Sequence, residues 1–160
     1  MTATYSDQEL NAIVNGAMLT GMAVAMADMG IISTAIEASA MGKEIIGAAA
    51  KFPNNSVIQA AFSEAALRNG GLKINKPDVK SEDIANGVFV TNAIAAVNSV
   101  VTSLESKATP AEIQEYKSFV FGVAETVAKA AGSGLFGSGD PKISDKEATA
   151  LAKIKSAMGI

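Results

Sequence analysis

The chain has 160 residues, a net charge of −3, no cysteine and no histidine. This length suits one domain with its own core. The missing residue types exclude disulfides, thiolate chemistry, imidazole bases and zinc sites of the usual kind. Any metal held by side chains therefore needs oxygen ligands, which indicates calcium, magnesium or manganese. A single arginine and no basic stripe make this acidic chain a poor candidate for nucleic-acid binding.

Composition predicts the fold class. Apolar residues make up 49% of the chain, and much of that share is alanine, whereas aromatic residues make up only 5%. Alanine-rich stretches that are poor in β-branched residues favour helix. No run of alternating apolar and polar residues is typical of a strand. We therefore predict an all-α helical bundle, with residues 1–160 forming a single domain.

Helix-start signals recur along the chain. Five of them are capping boxes, in which a hydroxyl residue stands three positions before a glutamate or glutamine. The five pairs are Ser6 and Glu9, Thr34 and Glu37, Ser56 and Gln59, Thr109 and Glu112, and Ser144 and Glu147. With Ser81 and the two acids that follow it, they predict six helices, over about 7–29, 34–51, 56–68, 81–106, 110–131 and 145–158.

Apolar residues at steps of three and four predict the inward faces of three helices. In the first helix the face comprises Leu10, Val14, Ala17, Gly21, Val24 and Asp28. In the fourth it comprises Val90, Ile94, Val97, Val101 and Leu104, and in the fifth Ile113, Tyr116, Val120, Val123 and Val127. Methionines 18, 22, 26 and 29 are also at helical spacing and are interpreted as core, with a methionine-lined partner groove as the alternative.

Asp28 is unusual in this pattern. Its position puts a carboxylate on the inward face of the first helix, in the last turn. There the negative end of the helix dipole opposes a carboxylate by roughly 0.3–1 kcal/mol. Asp28 therefore either caps the loop that follows or holds a cation.

A second acidic corner follows the glycine-rich segment 132–142, where Asp140 and Asp145 flank the capping residue Ser144. The segment spells GxGxxG, but a helix precedes it instead of a strand, so a dinucleotide site is not expected. The acids do not have the EF-hand spacing. Capping alone explains Glu37 and Glu147 more simply than ligation does.

The two ends of the chain look like distant repeats of one unit: helix, glycine-bearing break, capping box, helix. They predict a bundle with pseudo-twofold symmetry, with the middle helices between the two pairs. The N-terminus has neither a basic nor an apolar region, so no signal peptide is expected. The apolar runs are too short or too interrupted to span a bilayer, and the expected location is the cytoplasm.

The two corners resemble a known family. The segment AMADMGIISTAIE (25–37) resembles the ADG-x-(I/V)-S-x-x-E signature of the TerB-like tellurite-resistance proteins, and residues 127–159 resemble that family's C-terminal pattern. The resemblance covers both ends of the chain. Met29 departs from the pattern by separating Asp28 from Gly30, and Ala131-Gly132 stands where the second acid would be.

The resemblance implies a non-enzymatic helical protein of tellurite resistance and stress response. It implies a cytosolic protein, or one held at the inner membrane face by partner proteins of a stress-response complex. It also implies binding of a divalent cation such as calcium, with magnesium or manganese as alternatives. The ligands carried over are Asp28 and Glu37 in the first half and Glu147 in the second, and Asp140 and Asp145 could replace the missing acid.

Three hypotheses follow from the sequence. The first is a cation-responsive adaptor in which Asp28 and Glu37 bind the ion, with carbonyls of 29–32 completing the shell. The second is a metal-free helical interaction module whose acids only cap helices. The third is an enzyme based on carboxylates and Tyr5 or Tyr116, although no paired spacing favours it. The oligomeric state and the identity of any partner are not determined by the sequence.

Overall fold

A computed structural model describes residues 4–27, 34–70, 82–83, 86–132 and 143–160. These residues form helices and no strands, which confirms the predicted all-α helical bundle. The seven helices of the described residues are α1 (Asp7–Ala25), α2 (Thr34–Lys51), α3 (Ser56–Phe62), α4 (Glu64–Gly70), α5 (Val88–Leu104), α6 (Pro110–Gly132) and α7 (Asp145–Met158).

Three of the predicted capping boxes are confirmed by hydrogen bonds in both directions. In each, the hydroxyl accepts from the backbone N–H three residues on, and the carboxylate accepts from the backbone N–H of the capping residue. They begin α1 at Ser6 and Glu9, α6 at Thr109 and Glu112, and α7 at Ser144 and Glu147. Helix α2 begins at Thr34 as predicted, but the Thr34 side chain lies outside the described residues.

The capping prediction for the third helix was wrong. Asn55, not Ser56, caps α3, because its side-chain oxygen accepts from the Ile58 backbone N–H at 3.0 Å. The Gln59 amide instead donates to the carbonyls of Ala49 (2.6 Å) and Phe52 (3.1 Å). These bonds satisfy carbonyl groups that the end of α2 would leave without intrahelical partners. Gln59 therefore joins two helices and does not begin its own.

The third helix is also shorter than predicted, because Ser63 interrupts it. The Ser63 backbone is extended (φ −63°, ψ 155°), and its hydroxyl accepts from the Ala66 N–H at 3.3 Å. A serine hydroxyl that binds the backbone in this way favours a helix start over a helix interior. The predicted single helix over 56–68 is therefore two short helices, α3 and α4.

Two further helix boundaries differ from prediction. Residues 82–83 are helical, but the predicted single helix over 81–106 is interrupted, and α5 begins at Val88, because Gly87 has a left-handed backbone (φ 67°, ψ 13°) that favours glycine. Helix α1 ends at Ala25, with Met26 as its C-cap, and not at residue 29. Asp28 and the rest of residues 28–33 lie outside the described residues.

The core forms around α1, which packs along both α5 and α6. Two glycines allow this approach. A Cβ atom added at Gly16 would meet the Tyr116 hydroxyl at 2.8 Å, and one added at Gly21 would meet the Val123 side chain of α6 at 3.2 Å. Helix α2 packs against α6 and α3, while α7 contacts α6, α5 and α1. One hydrophobic core extends from Tyr5 to Met158.

The predicted inward face is confirmed in full for α6, where all five residues are buried. In α1 and α5 the predicted face is confirmed in part. The buried residues include Ala17, Gly21, Val24, Val90, Val97 and Leu104, whereas Leu10, Val14, Ile94 and Val101 are only partly buried. The buried set of α1 also includes Ile13, Gly16, Thr20 and Ala23. Met18, Met22 and Met26 belong to or pack against the core as predicted, and Met29 lies outside the described residues. Within the described residues, none of the helices is both long and apolar enough to cross a membrane.

Candidate functional site

The second acidic corner is the start of α7. Ser144 N–H donates to the Glu147 Oε2 atom at 2.9 Å, and the Glu147 N–H donates to the Ser144 hydroxyl at 3.2 Å. Glu147 is only 3% exposed, whereas Asp145 is exposed in the same turn. Both acids lie where the positive end of the helix dipole favours them. One carboxylate oxygen of Glu147 is thus used to cap α7, and Asp140 lies outside the described residues.

The first acidic corner is the start of α2. Glu37 lies in the first turn of this helix and is 6% exposed. Asp28, its predicted partner, lies outside the described residues. Among the described residues, Glu37 and Glu147 are the only charged side chains that are buried. The two glutamates at matching positions of the proposed repeat are therefore both buried.

A cation site needs several of these acids together. Within the described ranges, no three aspartate or glutamate side chains are grouped so that they could hold a metal ion. Asp145 and Glu147 share one turn, and Glu37 begins a different helix. A site at either corner would thus require Asp28 or Asp140, so the metal assignment stays a prediction.

Glu112 is a capping glutamate that lies outside both acidic corners. Its Oε2 atom accepts from the Thr109 N–H, and its Oε1 atom accepts from the Ser56 N–H, each at 2.9 Å. Hydrogen bonds from Ser56 and then from the Thr109 backbone lower the pKa of Glu112 to about 2. One carboxylate therefore caps α6 and holds the first turn of α3 beside it.

Asn55 completes this link, and the sequence reasoning missed it. Its side chain is fully buried, and its amide donates to the Glu112 carbonyl at 2.9 Å and to the Glu115 carboxylate at 2.8 Å. The signal available in the sequence was the residue itself, since asparagine is among the best N-caps. Its hydrogen bonds to α6 involve residues nearly sixty positions away, so the local sequence could not predict them.

Tyr5 and Tyr116, the two tyrosines of the enzyme hypothesis, both have contacts that stabilise the fold. Tyr116 is fully buried, its hydroxyl donates to the Ile13 carbonyl at 2.9 Å, and burial raises the pKa of that hydroxyl. The Tyr5 ring lies 5.8 Å from the Lys107 ammonium, which also binds Glu9 at 2.5 Å. That ion pair and the Ser6 bonds lower the pKa of Glu9 to about 2.

Two grooves lie among the described residues. One, of about 400 Å³, lies between α1 and α5 and has small polar side chains with Glu9 as its single acid. The other, of about 300 Å³, lies where the end of α1, the start of α5 and one face of α7 meet. Neither groove encloses two acids and a tyrosine, the combination that an enzyme of the third hypothesis would need.

Comparison of the chain with models of protein families, with curated proteins and with solved structures finds no match. The resemblance to TerB-like proteins therefore rests on the motifs at the two ends of the chain.

Proposed function

We propose that this protein is a non-enzymatic, TerB-like helical adaptor of a stress response that binds a divalent cation at its acidic corners. The supporting observation is the burial of Glu37 and Glu147. They are the only buried charged side chains of the described residues, and the TerB-like motifs place a ligand at both positions. Calcium is the first candidate, with magnesium and manganese as alternatives.

The burial of Glu37 and Glu147 is informative because removing a carboxylate from water costs free energy. A carboxylate removed from water loses hydration energy unless hydrogen bonds or a positive charge replace it. At the start of a helix, backbone N–H groups and the dipole supply part of this replacement. A bound cation would supply more. Asp28 and Glu37 would hold the cation at the first corner, and Asp140, Asp145 and Glu147 would hold it at the second.

We propose that the protein works in the cytoplasm with other proteins of a stress-response complex, or beside a membrane through such partners. The ion would bind beside the segment between α1 and α2, and so would control a surface for these partner proteins. Nucleic acid is not proposed as a partner, because the chain has no basic stripe.

A second candidate function, a metal-free interaction module, has its own supporting observation. Glu147 forms a complete capping box with Ser144, and Glu112 does the same with Thr109 at a place that no motif marks as a metal site. Capping alone thus explains at least one of the buried acids. The two candidates differ in one property, which is the response of stability to divalent cations.

Thermal unfolding of chelator-stripped protein tests the proposal. At about 100 times the dissociation constant, a cation that binds only the folded state adds about 2.7 kcal/mol to stability. For a domain of this size that corresponds to a rise in Tm of roughly 5–11 °C. The double variant Asp28→Asn with Glu37→Gln should lose the part of this rise that binding at the first corner contributes. Glutamine can still accept the capping hydrogen bond, so the variant removes charge and keeps the local structure.

Glu112→Gln is the matched control, because it changes a capping glutamate outside both corners. It should keep the full response to the cation. If calcium, magnesium and manganese all leave the Tm of the wild type unchanged, the cation proposal is wrong and the metal-free module remains. A response that persists in the double variant and disappears in Glu147→Gln would move the site to the second corner.

A further inference from the structure

The 300 Å³ groove, called here the α7 groove, combines an apolar floor with a basic rim. The floor is formed by Met26 and Ala27 after α1, Phe89 and Val90 at the start of α5, and Ala150 of α7. The rim is formed by Lys146, Thr149 and Lys153. Its volume is at the small end of the range for small-molecule sites.

The spacing of the rim residues places them together. Positions separated by three, four and seven residues share one face of a helix, so Lys146, Thr149 and Lys153 line one edge of the groove. The two lysines are about 10.5 Å apart along the helix axis, at 1.5 Å per residue. Both are exposed, so each ammonium group can turn toward a ligand in the groove.

The described residues that line the groove carry no charge that cancels this rim. Among them, none is acidic. Glu147, on the same helix, uses its carboxylate to cap α7. Glu82 and Asp83 lie just before the start of α5 and do not line the groove.

The start of α5 adds to the positive character. Its first backbone N–H groups have no partners within the helix. Gly87, the N-cap, has no side chain with which to cap them. This turn borders the groove through Gly87 and Phe89. Together with the two lysines, it favours an anion over a cation at this position.

We propose that the α7 groove binds a small anionic amphiphile, with its carboxylate or phosphate group between Lys146 and Lys153 and its short apolar body on the floor. The lysines supply charge-assisted hydrogen bonds, and Met26, Phe89 and Val90 supply the apolar contact. This site is distinct from the second acidic corner, because neither Asp145 nor Glu147 lines the groove.

Titration with octanoate, followed by calorimetry and by ¹⁵N chemical shifts, tests the inference. We expect saturable 1:1 binding, with the largest shifts at Gly87, Phe89 and Thr149. Octyl phosphate should bind as well, while octylammonium, with the same chain and the opposite charge, should not. A chelator is present throughout, so a failure here leaves the cation proposal untouched.

Two double variants locate the site. Lys146→Gln with Lys153→Gln should weaken octanoate binding at least tenfold. Lys43→Gln with Lys129→Gln makes the same change in net charge at exposed positions of α2 and α6, and it should change the affinity less than twofold. Equal losses in both variants would mean unspecific attraction and would overturn the inference. So would the absence of saturable binding, equal binding of octylammonium, or an affinity unchanged by the groove variant.

Discussion

The packing of α1 against α6 predicts that the effects of substitutions at Gly16 and Tyr116 on stability are coupled. A Cβ atom at position 16 would lie 2.8 Å from the Tyr116 hydroxyl oxygen, and its next neighbours are Val97 at 3.6 Å and Val100 at 3.9 Å. The clash thus involves the hydroxyl alone. Gly16→Ala should therefore be harmful in the wild type and harmless once that hydroxyl has been removed.

The magnitudes follow from the same contacts. In Gly16→Ala, overpacking costs about 1–3 kcal/mol, and displacing the Tyr116 hydroxyl from the Ile13 carbonyl costs about 1 kcal/mol. The better helix propensity of alanine returns about 1 kcal/mol. The net loss is about 1–3 kcal/mol. Tyr116→Phe alone loses about 1 kcal/mol with the hydrogen bond.

The double variant should not show the sum of these losses. With phenylalanine at position 116, the alanine methyl group has only ordinary contacts, so the lost hydrogen bond and the gained propensity nearly cancel. We expect the stability of the double variant to be within about 1 kcal/mol of the wild type, and a coupling energy of about 2–4 kcal/mol.

Urea or thermal unfolding of the four proteins in this double-mutant cycle measures the coupling. Each kcal/mol corresponds to roughly 2–4 °C in Tm for a domain of this size. The control is Gly42→Ala, since a Cβ atom there meets nothing within 4 Å and should only add helix propensity. If the Gly16 and Tyr116 effects add to within about 0.5 kcal/mol, the hydroxyl is not what excludes a side chain at position 16.

Two further predictions concern the link between α3 and α6. Asn55→Ala removes an N-cap and two hydrogen bonds of a fully buried amide, so it should cost about 2–3 kcal/mol in urea unfolding. Asn54→Ala, at an exposed neighbour, should stay within about 0.5 kcal/mol, and equal effects would refute the role of the link. Because the folded pKa of Glu112 is lowered from 4.5 to about 2, its contribution is complete above about pH 4.5 and is lost as the pH falls through about 2. Glu112→Gln should therefore flatten the dependence of Tm on pH between 5 and 2, and a slope identical to that of the wild type would contradict this.

Local sequence signals determined where most helices begin. A capping box joins residues only three positions apart, so Ser6, Thr109 and Ser144 could be recognised as helix starts without any knowledge of the fold. The inward face of α6 was predictable for a similar reason, because its apolar residues follow the helical period without interruption. Composition predicted the fold class, and the capping pairs, with Thr34 and Glu37 as the fourth, predicted four of the helix starts.

The candidate site was predictable only in part. The motifs that indicated Glu37 and Glu147 marked the two charged side chains that are buried among the described residues. The motifs could not distinguish a metal ligand from a helix cap, because both uses need a carboxylate at the start of a helix. The geometry of Ser144 and Glu147 shows capping at α7, and the cation remains for the stability measurement to test.

The tertiary structure decided what depends on residues distant in the chain. Gln59 matched a capping box, but it lies beside the end of α2 and binds carbonyl groups there. Asn55 took the capping position because its amide also reaches Glu112 and Glu115 on α6. The α7 groove likewise combines a basic rim from α7 with apolar residues that follow α1 and begin α5. No local sequence pattern brings these segments together. Sequence patterns report interactions within a helical turn, whereas these contacts exist only after the helices have packed.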